Sequence, residues 1–418
     1  MRPTILTFSR YYLPGYRAGG AIRTIANMVE RLGDEFDFRI VTTDGDIGDA
    51  EAYEGVQVDR WNRVGNAHVY YASPGSRSLR RFAQIMRQTP HDMQYLNSFF
   101  DPVFTFKPLL ARRLGWAPAS AVVIAPRGEF STGALEIKRW KKATYIAVMR
   151  KLGLYSEAIW QASSELEAAD IMRVMNLFDQ RGKMVVAADI VGESATEEFG
   201  DLEAPAQIAL NPSGGSQGEV HRSNREFRSA GEPLRLCFLS RISPKKNLDY
   251  ALRVLAQVRV PVRFSIYGPQ EESAYWAECQ RLIAALPAHV EAVYCGSIEH
   301  QHVVVTFAQH DLFFFPTRGE NFGHVVYEAL CAGTPVLLSD QTPWRDLEQH
   351  EVGWALPLGD PSAFVRVIED VAGWDAESAR VTSVRTIAYA KRVGSDADVV
   401  ESNRKLFRRQ MTHGAPLR

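Results

Sequence analysis

Leu312-Phe313-Phe314-Phe315-Pro316-Thr317-Arg318-Gly319-Glu320-Asn321-Phe322-Gly323-His324-Val325-Val326-Tyr327-Glu328-Ala329-Leu330 is the stretch on which the fold turns. Its first four residues are all apolar, with no alternation, as in a strand buried on both faces. A proline and two glycines then break the chain, and an apolar pattern of helical period runs from Phe322 to Cys331. Strand, glycine-bearing turn and helix together form the repeating unit of a parallel sheet. Glu320 falls in the turn, and Glu328 eight positions on is expected about two turns into the helix. Eight helical residues rise ~12 Å, the reach from a sugar past a diphosphate to a ribose. Backbone N–H groups of Asn321, Phe322 and Gly323 at the helix start would face the diphosphate. A carboxylate at either end would accept hydrogen bonds from vicinal hydroxyls. The Glu-x7-Glu spacing alone is common; its place between an apolar strand and a helix gives it meaning.

The same rhythm extends on both sides. Strands are expected at Leu234–Leu239, Val262–Tyr267, Ala292–Cys295 and Val336–Leu338, with helices over 247–258, 271–286 and 302–308. Short apolar strands alternating with amphipathic helices predict an α/β, doubly wound, Rossmann-like sheet covered on both faces. The first half repeats the pattern with strands at Thr4–Phe8, Phe38–Thr42, Met93–Leu96, Val122–Ala125 and Met184–Ala187. Between Ile190 and Glu232 the alternation lapses into a polar, Gly- and Ser-bearing stretch, expected to be a linker with an insertion. The expected organisation is therefore a domain over 1–190, a linker over 191–232 and a second domain from 233.

Two further loops follow expected strands. Ser240-Arg241-Ile242-Ser243-Pro244-Lys245-Lys246 leaves the first strand of the second domain, where doubly wound sheets bind ligands. Arg241 offers a planar fork and Lys246 a point charge, a pair suited to one diphosphate. Near the N-terminus, Gly19-Gly20 opens a helical pattern after the first strand, either as a simple turn or as a close backbone approach to a phosphate or sugar.

These residues together resemble the retaining glycosyltransferases of family 4, the glycosyl transferases group 1. The resemblance rests on Gly19-Gly20, Arg241 with Lys246, Gly268-Pro269, and Gly-Glu-Asn-Phe-Gly continuing to Glu-Ala-Leu-Cys-Ala-Gly-Thr-Pro-Val. It is strong over Leu234 to Leu358 and looser over the first half. It implies the GT-B fold, with two Rossmann-like domains facing a cleft: an acceptor domain over 1–190 and a nucleotide-sugar donor domain over 233–395. It also implies a last helix, within 396–418, crossing back to the first domain. By the same resemblance Glu328 binds the ribose hydroxyls, and Glu320 contacts the donor sugar with Asn321, Phe322 and Gly323 supplying N–H groups. Arg241 and Lys246 clamp the diphosphate, and Gly19, Gly20 and Gly268 line the donor. Many relatives carry a histidine after a mid-domain strand; here Asn97 or Ser98 stands in the corresponding stretch. Arg127 also follows a strand, either facing the cleft or held in a loop ion pair.

The implied reaction is retaining transfer of a hexose from a UDP- or GDP-sugar to a saccharide or lipid-linked acceptor, in polysaccharide or lipopolysaccharide assembly. No cofactor is expected beyond the donor substrate, and the two cations are expected to take the place of a metal. A nucleotide-sugar epimerase on this fold, or a catalytically silent glycan-binding relative, are the alternatives.

Composition narrows the classes. The 418 residues carry 48 Lys+Arg against 49 Asp+Glu, so no overall basic field favours nucleic acid. Charge is uneven, however. Residues 1–190 hold 25 Lys+Arg and 20 Asp+Glu, leaving 23 and 29 for the rest. Much of the basic excess lies between Lys138 and Lys151, where Lys138, Arg139, Lys141, Lys142, Arg150 and Lys151 interleave with Trp140 and Tyr145. That segment is either a solvated helix face or a surface docking on anionic headgroups or a pyrophosphate-bearing acceptor; Lys138 and Lys142 are its acceptor candidates. No apolar run reaches the ~18–20 residues of a membrane span, and a cytoplasmic protein, peripheral at the inner membrane face, is expected. The four cysteines lack CxxC spacing and are expected as buried free thiols. Gly214-Gly215-Ser216-Gln217-Gly218 has no strand before it to make a nucleophile elbow. Glu299-His300-Gln301-His302 is expected to be a helix start, not a metal site.

Overall fold

The computed structural model describes residues 2–136, 139–177, 182–192, 227–229 and 231–413. Nearly all of the expected linker, the Gly-x-Ser-x-Gly stretch and Lys138 lie outside the described residues. The chain divides into two compact units. One comprises Met1–Glu193, Arg318–Gly323 and Asp396–Arg418, and the other Ser194–Thr317 and His324–Ser395. Residues 318–323, expected inside the second domain, thus group with the first unit.

The first unit is built on strands β1 (Thr4–Phe8), β2 (Asp37–Thr43), β3 (Trp61–Val64), β4 (Ala67–Ala72), β5 (Met93–Asn97), β6 (Ala121–Ala125), β7 (Ile159–Ala162) and β8 (Met184–Val186). Their order is β3-β4-β2-β1-β5-β6-β7-β8. Every pair is parallel except β3–β4, which the two residues Gly65-Asn66 close as a hairpin, Gly65 taking φ 55°. Helix α1 (Gly20–Leu32) buries Ile22, Ile25, Met28, Val29 and Leu32, one stripe at helical spacing. Helices α2 (Leu79–Gln88), α3 (Phe106–Arg113), α4 (Thr132–Glu136), α5 (Arg139–Lys151) and α6 (Glu165–Met175) follow. Ser78 and Ser164 cap α2 and α6, accepting from the N–H groups of Arg81 and Glu167, each at 3.2 Å.

In the second unit β9 (Leu234–Leu239), β10 (Val262–Tyr267), β11 (Val290–Gly296), β12 (Leu312–Phe315), β13 (Val336–Ser339) and β14 (Gly353–Leu356) lie in the order β11-β10-β9-β12-β13-β14, all parallel. Counted within the unit this is 3-2-1-4-5-6, the order of dinucleotide-binding sheets. Strand order reverses between β9 and β12, and in the first unit between β1 and β5; loops leaving the carboxyl ends at such reversals form ligand crevices. Helices α7 (Leu248–Leu255), α8 (Ser273–Ala284), α9 (His300–Ala308), α10 (His324–Cys331), α11 (Pro361–Ala372) and α12 (Ala376–Gly394) complete this unit.

Helix α13 (Ala397–His413) belongs to the first unit. Leu406 and Phe407 enter the apolar core beside Ile5, Phe36, Phe38 and Tyr95. The Phe407 ring lies 5.4 Å from that of Phe36, and Arg404 Nε donates to Glu35 Oε1 at 2.8 Å.

Two expectations need correction. Cys295 is exposed, while Cys237, Cys279 and Cys331 are buried. It sits on β11, the edge strand, whose residues alternate between faces, so an apolar-looking run is only half covered. The helix expected from Phe322 begins at His324, which places Glu328 little more than one turn in. The ~12 Å helical separation from Glu320 therefore does not apply.

Candidate functional site

At the reversal in the second unit, three loops meet. The segment Ser240–Asn247 leaves β9, Gly268-Pro269 leaves β10 and Pro316-Thr317 leaves β12. Asn247, with φ 66°, is buried, and its Nδ2 donates to Pro316 O at 2.8 Å. Thr317 Oγ1 donates to Lys245 O at 3.2 Å, and the Ser339 hydroxyl donates to Thr317 O. Ile242 N donates to Pro269 O at 2.8 Å. Gly268 takes φ 132°, and a Cβ there would stand 1.9 Å from Ser240 O, so only glycine lets the β10 loop lie against the residue before Arg241.

These loops carry the cations. Lys246 is 9% exposed, its ammonium 5.4 Å from the centre of the Phe315 ring; its alkyl stem is covered and its charge sits at the carboxyl end of β12. Arg241 is half-buried and ion-paired with Glu271. Glu328, on α10, has its side chain 14% exposed, with Oε1 3.6 Å from Nδ1 of His300, the first residue of α9. His300, set aside from the sequence as no more than a helix start, therefore stands beside the predicted ribose ligand.

Within the first unit, residues 318–323 are anchored through Asn321. Its Nδ2 donates to Asp189 Oδ2 at 3.1 Å, and its Oδ1 lies 2.7 Å from the Ser163 hydroxyl. A Cβ on Gly128, at φ 72°, would lie 3.4 Å from Asn321 Cβ, so the two backbones are close. Glu320 is half-buried next to this anchor.

The first unit's own reversal joins the ends of β1, β5 and β6. Arg127, at φ 56°, buries its guanidinium in an ion pair with Asp189 and against the Tyr95 hydroxyl. Its Nε donates to Asn97 Oδ1 at 3.0 Å, and Asn97 Nδ2 reaches Ala21 O at 3.4 Å. Burial disfavours the Arg127 charge, but Asp189 and Tyr95 more than compensate and its pKa rises. Burial likewise pushes the Tyr95 phenol up to about 12. Of the two placements open for Arg127, the ion pair is present. Ser98 is held at φ 130°, a strained position for a residue with a Cβ. Its hydroxyl donates to Glu129 Oε1 at 2.7 Å, and Glu129 Oε2 accepts from the N–H groups of Phe99 and Phe100 at 2.6 and 3.0 Å. Glu167 similarly accepts from the N–H of Gly128 at 2.5 Å and of Ser163 at 2.8 Å. Burial raises the pKa of both glutamates against the pull of these bonds. Gly19, at φ 61°, precedes the first residue of α1, Gly20.

Residues 221–382 match the sequence family described as "Glycosyl transferases group 1". Within this group 1 segment lie all three loops at the second unit's reversal and α10 with Glu328. The chain is 32% identical over 146 residues to a GDP-mannose-dependent alpha-mannosyltransferase of Mycobacterium tuberculosis, covering 35% of each. It is 28% identical over 195 residues to a D-inositol 3-phosphate glycosyltransferase of Streptomyces coelicolor, covering 38% of this chain and 42% of that protein. The matched segments span between about a third and a half of the length of such relatives. Among solved structures, Anabaena HepE in complex with UDP and glucose superimposes with a TM-score of 0.64 at 15% identity, covering 98% of this chain and 99% of that one. Sucrose-phosphate synthase of Thermosynechococcus elongatus gives 0.67 at 15% identity, covering 99% and 100%. The fold is GT-B, two parallel-sheet α/β domains.

Outside the group 1 segment, Lys142 turns to its own unit, bonding Ala134 O and lying 5.2 Å over the Phe100 ring. Of two Asp-x-Asp triplets in the sequence, Asp44-Gly45-Asp46 has both carboxylates occupied by protein groups. Asp44 pairs with Arg77 at 2.5 Å, and Asp46 accepts from the N–H groups of Tyr16, Arg17 and Ile47. Asp396 accepts from Asp398 N at 2.9 Å. Among the described residues no group of three or more His, Cys, Asp or Glu is placed to hold a metal ion.

Proposed function

We propose that the protein is a retaining glycosyltransferase that moves a hexose from a nucleoside-diphosphate sugar, UDP- or GDP-linked, to a saccharide or lipid-linked acceptor in polysaccharide or lipopolysaccharide assembly. The observation that carries this is the reversal between β9 and β12: the Arg241–Lys246 loop and the loop into α10 leave adjacent strands at the position where such sheets hold nucleotides. Departure of the nucleoside diphosphate builds negative charge on its β-phosphate. Arg241 and Lys246 are the cations that meet it, without a metal ion and without a cofactor beyond the donor. Fixed cations and N–H dipoles near Asn321 to Gly323 favour the transition state over the ground state. Glu328 takes the ribose hydroxyls and Glu320 the hexose. The leaving phosphate accepts the acceptor's proton as attack comes on the face it vacates, so no protein nucleophile is required.

Asn97, Ser98 and Arg127 hold the loops at the first unit's own reversal. Asn97 and Arg127 are already bonded to one another, and Ser98 to Glu129, so they act by fixing backbone shape. The test is release of nucleoside diphosphate from a panel of UDP- and GDP-hexoses. Wild type is expected to turn over one of them, and Glu320→Gln to lower that rate by roughly 10²–10³. Absence of turnover with every donor, even with saccharide acceptors present, would favour a silent binder.

A further inference from the structure

Helix α5 faces two ways. On one side Met149 is buried and Tyr145 and Ile146 pack against the core, with Lys142 bonded inward to Ala134 O. At about 100° per residue, the opposite side carries Trp140, Thr144, Ala147 and Lys151. Arg139 and Arg150 flank that line on one edge, and Lys141 and Val148 on the other. All of these residues are exposed, Trp140 at 71% and Val148 at 48%, and Leu152 just past the helix is at 43%. The helix carries five cations and no anion.

An exposed indole with aliphatic neighbours, rimmed by cations on both edges, fits one kind of surface. Indoles settle at the headgroup level of a bilayer, and Lys and Arg pair with anionic lipid headgroups around them. A second copy of the chain would set like charges against each other across a two-fold contact. We propose that the outer face of α5 docks the protein on an anionic lipid surface, Trp140 seated among headgroups and Arg139, Lys141, Arg150 and Lys151 on lipid phosphates. Docking of this kind needs no spanning segment; among the described residues no helix is long and apolar enough to cross a membrane. The proposal stands on the helix alone, independent of the donor-site chemistry.

The test is co-sedimentation of the full chain with vesicles of phosphatidylcholine, alone or with about one third phosphatidylglycerol. The protein is expected to pellet with the anionic vesicles only, and to be released by about 0.5 M salt. At roughly five-fold per cation, Lys141→Gln/Arg150→Gln/Lys151→Gln is expected to weaken partitioning on the order of 100-fold. Trp140→Ala is expected to weaken it several-fold. Both variants should keep the wild-type circular dichroism and melting temperature, since the altered side chains are exposed. Wild type left in the supernatant of anionic vesicles at low salt would overturn the proposal. So would a folded triple variant that pellets like wild type. A wild-type dimer that Trp140→Ala converts to monomer, without vesicle binding, would overturn it in favour of a self-association face.

Discussion

The guanidinium of Arg241 is held by the carboxylate of Glu271, which follows Gly268-Pro269-Gln270 out of the neighbouring strand. The cation proposed for the diphosphate is thus already paired, and a nucleotide must displace Glu271 or share the guanidinium with it. Half-buried pairs of this kind are worth up to about 1 kcal/mol. Glu271→Gln is therefore expected to tighten UDP or GDP binding roughly two- to five-fold, measured as Kd by calorimetry; weaker binding would mean that Glu271 positions Arg241 instead of competing for it.

Gly268→Ala should separate packing from charge. A Cβ would fall 1.9 Å from Ser240 O at a φ of 132°, so the loop bearing Arg241 must move. The expected result is a melting temperature lowered by several degrees together with weaker nucleotide binding. A variant as stable as wild type with unchanged Kd would remove the β10 loop from the account.

Asn247 ties the loops after β9 and β12 through Pro316 O. Asn247→Ala leaves that buried carbonyl without its side-chain donor and puts a non-Gly, non-Asn residue at φ 66°. The combined cost is expected to be about 2–3 kcal/mol in urea unfolding. A cost near zero would show that the two loops hold their places without it.

Glu167 gives a pH signature. Burial raises its carboxyl above the ordinary 4.5, so the folded protein holds this proton over a window in which the unfolded chain has released it. The contribution of Glu167 to stability is complete below about pH 4.5 and falls as pH rises through the folded-state value. Glu167→Gln loses one acceptor for the N–H groups of Gly128 and Ser163, a cost of about 1–3 kcal/mol. Relative to wild type that cost should be larger near pH 4.5 than near pH 7. Urea unfolding of both proteins at the two pH values checks the sign; a gap that widens toward neutral pH would contradict a raised carboxyl.

Legibility followed local chemistry. Leu312–Phe315 declares itself as a strand because every side chain is apolar, and Thr4–Phe8 because its Ile, Leu and Phe are joined by β-branched Thr. Trp61–Val64 does not, since Asn62 and Arg63 stand on an edge strand with solvent on one side. Gly353–Leu356 hides behind a glycine for the same kind of reason. The Arg241–Lys246 loop and the Glu320–Glu328 segment stand out as candidates in the sequence because each is contiguous and sits after a strong strand. The Arg127–Asp189 pair and the His300–Glu328 approach could not, since sheet order, which a single sequence does not state, brings together residues far apart in the chain. Asp189 left one signal, an acidic residue just beyond an expected strand.

The most direct measurement is calorimetric titration of UDP and of GDP into wild type and Lys246→Ala. Binding of at least one nucleotide to wild type is expected, weakened roughly 10- to 100-fold by loss of the ammonium at the end of β12. If neither nucleotide binds wild type, or if Lys246→Ala binds as tightly, the assignment of this crevice to a nucleoside diphosphate is contradicted.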